Sequence, residues 1–152
     1  MQIVPRAFKL LDMYNILKWR NDYDTIYNSK TIGRISLYQH LLWFFPRLNS
    51  EKFIGIIFEN DDRHKVALVT FSQINFNTYL TSININPKFR GKGLAQNIII
   101  SAIRFVEFKS TDLYAEIKET NIRSIRAFTN AGFVFFTRNE SKKISTFVLR
   151  IK

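Results

Sequence analysis

The sequence predicts a mixed α/β sheet with helices on both faces, folded as one domain over residues 1–152. Three observations carry that expectation. Apolar runs of strand length alternate with segments whose apolar residues recur at helical spacing. The element order (a strand, two helices, three strands, a helix, a strand, a helix, two strands) interleaves the two kinds, which suits a sheet covered by helices. Finally, 46% apolar residues, with 15% aromatics, in 152 residues are ample to fill a single core.

Residues 3–10 are apolar with Arg6 and Lys9 interspersed, and are expected to form the first strand. Residues 11–22 place apolar side chains at 13, 16 and 17 and a tryptophan at 19, the pattern of a short amphipathic helix. Residues 22–33 are polar and read as a loop, with Gly33 as a turn point. Ser36 is a good helix cap, and Leu37, His40, Leu41, Phe44 and Phe45 follow at helical spacing until Pro46, where the helix is expected to end. Residues 53–58 and 65–71 form a hairpin about Glu59-Asn60-Asp61-Asp62. Residues 72–78 connect to a strand over 79–85. From Leu94 a helix begins, with Ala95, Ile98, Ile99, Ala102, Ile103 and Val106 on one face. Residues 113–117 are the next strand; Thr120 or Asn121 caps a helix over 122–131, which Gly132 stops. Residues 133–137 and 144–151 close the chain as a hairpin. No repeat, linker or low-complexity tract interrupts this order.

Bulk properties exclude several classes. There is no cysteine, so no disulfide framework and no thiolate chemistry, which fits a reducing cytoplasm, the expected compartment. The N-terminal apolar stretch carries Arg6, Lys9 and Asp12 and makes a poor signal peptide. No apolar run is long enough to cross a membrane. Two histidines, no cysteine and no paired carboxylates at ligand spacing predict no metal site. The net charge of +11, from 23 basic and 12 acidic residues, predicts attraction to polyanions. Nucleic acid, anionic lipid and phosphorylated small molecules all qualify. A basic nucleic-acid module is the competing class, but the Lys and Arg are dispersed, with no aromatic-glycine RNA motif and no continuous basic helix.

The most informative stretch is the turn Lys88-Phe89-Arg90-Gly91-Lys92-Gly93 between the strand over 79–85 and the helix from Leu94. A strand, a glycine turn and a helix N-terminus present free backbone N–H groups together with the positive end of the helix dipole. Gly91 and Gly93 allow positive φ and a close approach of phosphate to backbone, while Lys88, Arg90 and Lys92 add charge. A diphosphate fits this arrangement; an ordinary basic surface turn fits it equally on spacing alone. It is neither the phosphate loop of NTPases nor the dinucleotide fingerprint, whose spacings differ.

A second motif follows one strand later: Asn121-Ile122-Arg123-Ser124-Ile125-Arg126-Ala127-Phe128-Thr129-Asn130-Ala131-Gly132-Phe133, or N-x-x-S-x-x-x-F-x-x-x-G-F. By itself it reads as a capped amphipathic helix with Ile125 and Phe128 in the core. Together with P-x-x-R-G-x-G-x-A at Pro87 to Ala95 it resembles the GNAT superfamily of acetyl-CoA-dependent N-acetyltransferases. The resemblance implies a mostly antiparallel sheet of about seven strands whose central strands splay apart around the pantetheine arm of acetyl-CoA. It implies that backbone groups of Ile83, Asn84 and Ile85 pair with that arm as an added strand would. The amides of Arg90 to Leu94, ahead of Ala95, would hold the pyrophosphate. Asn121 would reach the pantetheine, and Arg123 or Arg126 an outer phosphate. Lys88 stands where the family often has Gln or Arg.

A narrower resemblance links 17–22 (LKWRND), Ser36 and the run from His40 to the aminosugar N-acetyltransferases of bacterial nucleotide-sugar pathways, with the ribosomal-protein Nα-acetyltransferases sharing much of the pattern. It implies a small-molecule amine acceptor, an amino sugar on a nucleotide diphosphate, with a protein N-terminus as the alternative. Arg20, His40, Ser72 and Gln73 are the candidate acceptor contacts.

Direct attack of a neutral amine on a thioester needs a base, an oxyanion donor and a proton for the leaving thiolate. Glu116, in the strand beside the expected gap, is the candidate base; a surface strand carboxylate is the alternative. The family commonly has Tyr where this chain has Phe128, which cannot donate a proton. Ser124 is the candidate donor in its place, with Thr129, Tyr79, Tyr114 or water as alternatives. A thiol of pKa near 8.5 also leaves unaided at modest cost.

Overall fold

The computed structural model describes residues 1–152. Its strands are Ile3–Ala7 (β1), Phe53–Asn60 (β2), Lys65–Asn75 (β3), Thr78–Ile85 (β4), Thr111–Lys118 (β5), Val134–Asn139 (β6) and Ile144–Ile151 (β7). Its helices are Met13–Arg20 (α1), Tyr23–Asn28 (α2), Leu37–Leu48 (α3), Ala95–Val106 (α4) and Ile122–Asn130 (α5). The seven strands make one sheet in the order β1-β2-β3-β4-β5-β7-β6. Every neighbouring pair is antiparallel except β4 with β5, which run parallel.

Strand alternation sorts the apolar residues onto two faces. On one, α4 and α5 bring Ile98, Ile99, Ala102, Ala127 and Phe128 against Ile56, Val69, Phe71, Leu113, Ala115 and Ile117. On the other, α1 and α3 bring Ile16, Trp19 and Phe44 against Phe8, Phe53, Ile57 and Leu68. Gly55 is required here by close approach, since a Cβ would lie 2.6 Å from the Phe8 ring.

A buried carboxylate fastens the second face. Asp12 is fully buried and accepts from Arg6 at 2.8 Å, from the Lys9 amide at 2.7 Å and pairs with Lys65 at 2.9 Å. Burial raises the cost of its charge, but the hydrogen bonds from Arg6, Lys65 and Lys9 outweigh it and hold its pKa below the usual 3.8. The start of α1 is thereby tied to β1 and β3.

Two expectations are corrected. Residues 22–33 are not all loop: they contain α2, capped by the Asp22 side chain on the Thr25 amide at 3.4 Å. None of its residues is buried, so it has no apolar stripe for periodicity to detect; side-chain tethers hold it instead. Pro46 does not end α3, which continues to Leu48. In the last turn a proline removes one backbone bond without interrupting a long ladder.

Candidate functional site

The parallel pair β4–β5 is laddered only at Thr78 with Asp112, Tyr79 with Leu113 and Leu80 with Tyr114. Beyond those pairs both strands continue, to Ile85 and Lys118, each bonded along its outer edge to β3 or β7. The two strands therefore part, and the sheet opens a gap from Thr81 and Ala115 outward.

Ladder alternation settles which backbone groups face it. Asn86 donates to Val66, so in the antiparallel register Asn84 and Ser82 also bond β3; the Thr81 N–H closes the last rung to Tyr114 and Arg90 takes the Ile85 carbonyl, which leaves the Thr81 C=O, both groups of Ile83 and the Ile85 N–H open to the gap. Likewise Glu119 donates to Lys143, which turns the backbone of Tyr114 into the β4 ladder and that of Glu116 and Lys118 toward the gap. Ile83 therefore has both backbone groups, and Ile85 its N–H, at the edge of the gap. Asn84 is a correction: its backbone belongs to the β3 ladder, and its side chain meets the Thr25 hydroxyl at 3.4 Å.

At the wide end lies the glycine turn. Gly91 and Gly93 have φ of +74° and +69°, and a Cβ at either would meet nothing within 4 Å. Glycine is needed there for conformation and for an uncovered backbone. The amides from Gly91 through Asn97, which include those of Lys92, Gly93, Leu94 and Ala95, have no acceptor within the chain; the first bond of α4 runs from Ile98 to the Leu94 carbonyl. The Arg90 amide is bonded to Pro87 at 3.4 Å, so the free amides begin one residue later than expected. The Arg90 guanidinium is also engaged: it donates to Asp22, to Thr25 at 2.8 Å and to the Ile85 carbonyl at 3.1 Å. Burial raises the Asp22 pKa, but the Arg90 contact outweighs it and the net direction is down. Lys88 and Arg126 have no ion-pair partner, and the Lys92 ammonium sits 5.0 Å from the Phe89 ring centre.

The other lip carries α5 and β5. Asn121 caps α5, accepting from the Ser124 amide at 3.2 Å, so its carbonyl oxygen is used while its amide nitrogen is not. Arg123 is exposed and reaches Asp24 of α2 at 3.5 Å. Phe128 is 3% exposed and packs edge-to-face on Phe133 at 5.0 Å. Glu116 points away from the α4–α5 face, since its neighbours Ala115 and Ile117 belong to that core. It is half-exposed and ion-pairs with Lys30 in the loop between α2 and α3. Lys118, next on the same face, donates to the Tyr27 carbonyl at 2.8 Å. From Asp22 to Lys30, α2 and its following loop touch both lips.

The acceptor-side candidates separate. His40 is a correction: it is 1% exposed, its ring bonds the Met13 carbonyl at 2.9 Å and stacks on Trp43. Burial, with that carbonyl partly offsetting, holds its pKa below 6.5. Trp19, in the same motif, is also core. Gln73 is a second correction. It pairs with Tyr79, which packs on the α4–α5 side, whereas Ser72 shares the opposite face with Phe53 and Leu80. Arg20 lies beneath the loop containing Lys30 and donates to the Thr31 carbonyl at 3.1 Å, while its NH1 is buried without a partner.

Sequence reasoning missed Lys30, Asp22, Asp24 and Thr81. The Thr81 hydroxyl is buried and unpartnered at the first β4 position past the ladder. Asp22 closes the 17–22 stretch and caps α2 locally, whereas three-dimensional proximity alone marks Lys30, Asp24 and Thr81.

Comparison with known proteins agrees with this geometry. The model of the acetyltransferase (GNAT) family matches residues 13–133. A spermidine N-acetyltransferase from Vibrio cholerae, solved with CoA and spermine, superposes with a TM-score of 0.84 at 16% identity, covering 98% of this chain and 95% of that one. A domain from Methanocaldococcus jannaschii superposes with a TM-score of 0.80 at 20% identity over 99% of both chains. An uncharacterized protein of the same archaeon is 28% identical over 138 residues, 87% of this chain. The chain spans only 28% of the length of that curated relative. No helix is long and apolar enough to cross a membrane.

Proposed function

The chain belongs to the acetyltransferase (GNAT) family, whose enzymes use acetyl-CoA, and from that membership we propose that it acetylates the primary amine of an anionic small molecule, an amino sugar on a nucleotide diphosphate being the acceptor class that fits best. The observation that carries the reading is the pairing of a parted β4–β5 gap with the unbonded amides from Gly91 through Asn97 at its wide end. Those amides and the α4 dipole suit a diphosphate. The Thr81 C=O, both groups of Ile83 and the Ile85 N–H offer the extended arm of the cofactor a strand edge. Acetyl-CoA, bound there, supplies the thioester carbon that the amine attacks.

In this reading Glu116 takes the proton of the entering ammonium, directly or through water, so that a neutral amine is available near pH 7. Ser124 and the buried Thr81 hydroxyl are the nearby candidates to meet developing negative charge. Phe128 supplies shape alone. Lys88, Arg123 and Arg126 add charge for the cofactor's phosphates.

The acceptor class follows from electrostatics. The carboxylates nearest the gap, Asp22, Asp24 and Glu116, are already paired with Arg90, Arg123 and Lys30, and the chain carries a net +11. A polycation gains little from such a site, whereas an anionic carrier gains from the chain's net positive charge. The likeness to the spermidine enzyme supplies the second reading, a polyamine acceptor. Thiol release from acetyl-CoA, measured with UDP-amino sugars, spermidine and N-terminal peptides, tests both. Turnover is expected with the amino sugars. Preference for spermidine replaces the acceptor class, and failure of the chain to bind coenzyme A removes the reading.

A further inference from the structure

The ion pair between Lys30 and Glu116 joins residues 86 apart in sequence and has no motif behind it. It places a primary amine on the carboxylate best situated to deprotonate one. Glu116 lies two residues past the last β4–β5 ladder pair, roughly 7 Å along the strand at its usual rise. That is close to the narrow end of the gap, on the face opposite the α4–α5 core.

Lys30 is carried by the segment after α2, which Arg20 anchors at Thr31 and Asn21 anchors at Ile35 through bonds of 2.8 Å in both directions. The pair itself is open, with side-chain exposures of 43% and 40%. The ammonium is therefore delivered to Glu116 by a tethered loop and is not sealed there by packing.

Lys118 also lies on this side of the gap. Its ammonium meets a backbone carbonyl, which cannot accept its proton to leave a usable amine. Lys30 alone of the two combines proximity with a base.

From this geometry we infer that Lys30 is a self-acetylation site, an inference that rests on the acetyltransferase reading. One proton of the Lys30 ammonium passes to Glu116, and the neutral Nζ attacks the thioester carbonyl of acetyl-CoA. A C–N bond forms, and the tetrahedral oxyanion collapses with cleavage of the C–S bond. The amide nitrogen loses its second proton as the departing thiolate is protonated, leaving coenzyme A as its thiol. The product is an uncharged acetyl-lysine, which no longer pairs with Glu116. One turnover thus clears the carboxylate for an external ammonium, and until then Lys30 occupies that position in the acceptor's stead.

The test incubates the full chain with acetyl-CoA and no added amine, follows acetylation by intact mass and peptide mapping, and measures coenzyme A binding calorimetrically on the same preparation. One acetyl group is expected at Lys30, at a rate independent of protein concentration. That rate should exceed the rate at the exposed turn lysine Lys142 by at least about 10²-fold, the low end of a positioned base's effect. Lys30→Arg, which keeps the ion pair, should abolish the modification, and Glu116→Gln should slow it to the Lys142 rate. Coenzyme A binding accompanied by equal labelling of Lys30 and Lys142 overturns the inference alone. Absence of coenzyme A binding overturns the acetyltransferase reading and the inference with it.

Discussion

The two lips of the gap reach the same cleft by different means. The lip of β4, the glycine turn and α4 presents backbone: the Thr81 C=O, both groups of Ile83, the Ile85 N–H and the amides from Gly91 through Asn97. The lip of β5, faced by α2 and its loop, presents side chains recruited across the fold, as in Lys30 with Glu116 and Arg123 with Asp24. The first kind of site is set by local conformation and tolerates exchange of side chains. The second depends on where helices pack, and loses function when a single side chain changes.

The largest expected effect tests whether the second lip depends on its scaffold. Asp12→Ala leaves Arg6 and Lys65 without their shared partner, and should cost about 3–5 kcal/mol of stability by urea unfolding. A cost below about 1 kcal/mol would mean that α1 is held by apolar packing alone.

Next comes chemistry on that lip. Glu116→Gln should lower turnover about 10²- to 10⁴-fold, the range for a positioned base, while coenzyme A affinity stays within about twofold. Unchanged turnover between about pH 6 and about pH 9 would make Glu116 a surface residue.

On the backbone lip, Gly93→Val tests conformation without packing, because its Cβ meets nothing. Forcing a β-branched residue to φ +69° costs about 1–3 kcal/mol, expected as roughly a 10- to 100-fold loss of coenzyme A affinity. Affinity retained by this variant would remove the turn from the cofactor site.

Phe128→Tyr restores the hydroxyl that the family commonly has, in a ring that is buried against Phe133. Turnover should rise by less than about tenfold, since a thiolate of ordinary pKa leaves without help. A rise of about 10²-fold or more would show that departure of the thiolate limits the native enzyme.

The smallest effect concerns pH. Burial keeps His40 neutral in the fold below its usual 6.5, whereas the unfolded chain takes up a proton there. Its contribution is fully present above that value and is lost as pH falls through the depressed folded value, with a slope of at most about 1.4 kcal/mol per pH unit. Asp12, also depressed, adds the same sign of loss below 3.8. Urea midpoints measured from about pH 7 to about pH 5 should fall, and His40→Gln should flatten the slope.

Legibility in the sequence followed the same division. The strand, glycine turn and α4 could be read because a contiguous stretch makes them, and positive φ leaves a glycine as its mark. Ser36 as the cap of α3 was readable for the same reason: it bonds the Gln39 amide three residues on. His40 and Gln73 were not, because whether a residue faces the core or the cleft depends on which way its element turns against another. Helix α2 escaped notice because its holdfasts, Asp22 on Arg90 and Tyr27 on Lys118, come from far along the chain.

By itself, then, the sequence determined the interleaved α/β order, the glycine turn with its free amides and the family these imply, all products of neighbouring residues acting within a few bonds. Only the tertiary structure decided that β4 and β5 part after Leu80 and Tyr114, that Glu116 faces away from the core and that Lys30 meets it. Those outcomes rest on packing and on charges paired across long separations, which one-dimensional spacing does not encode.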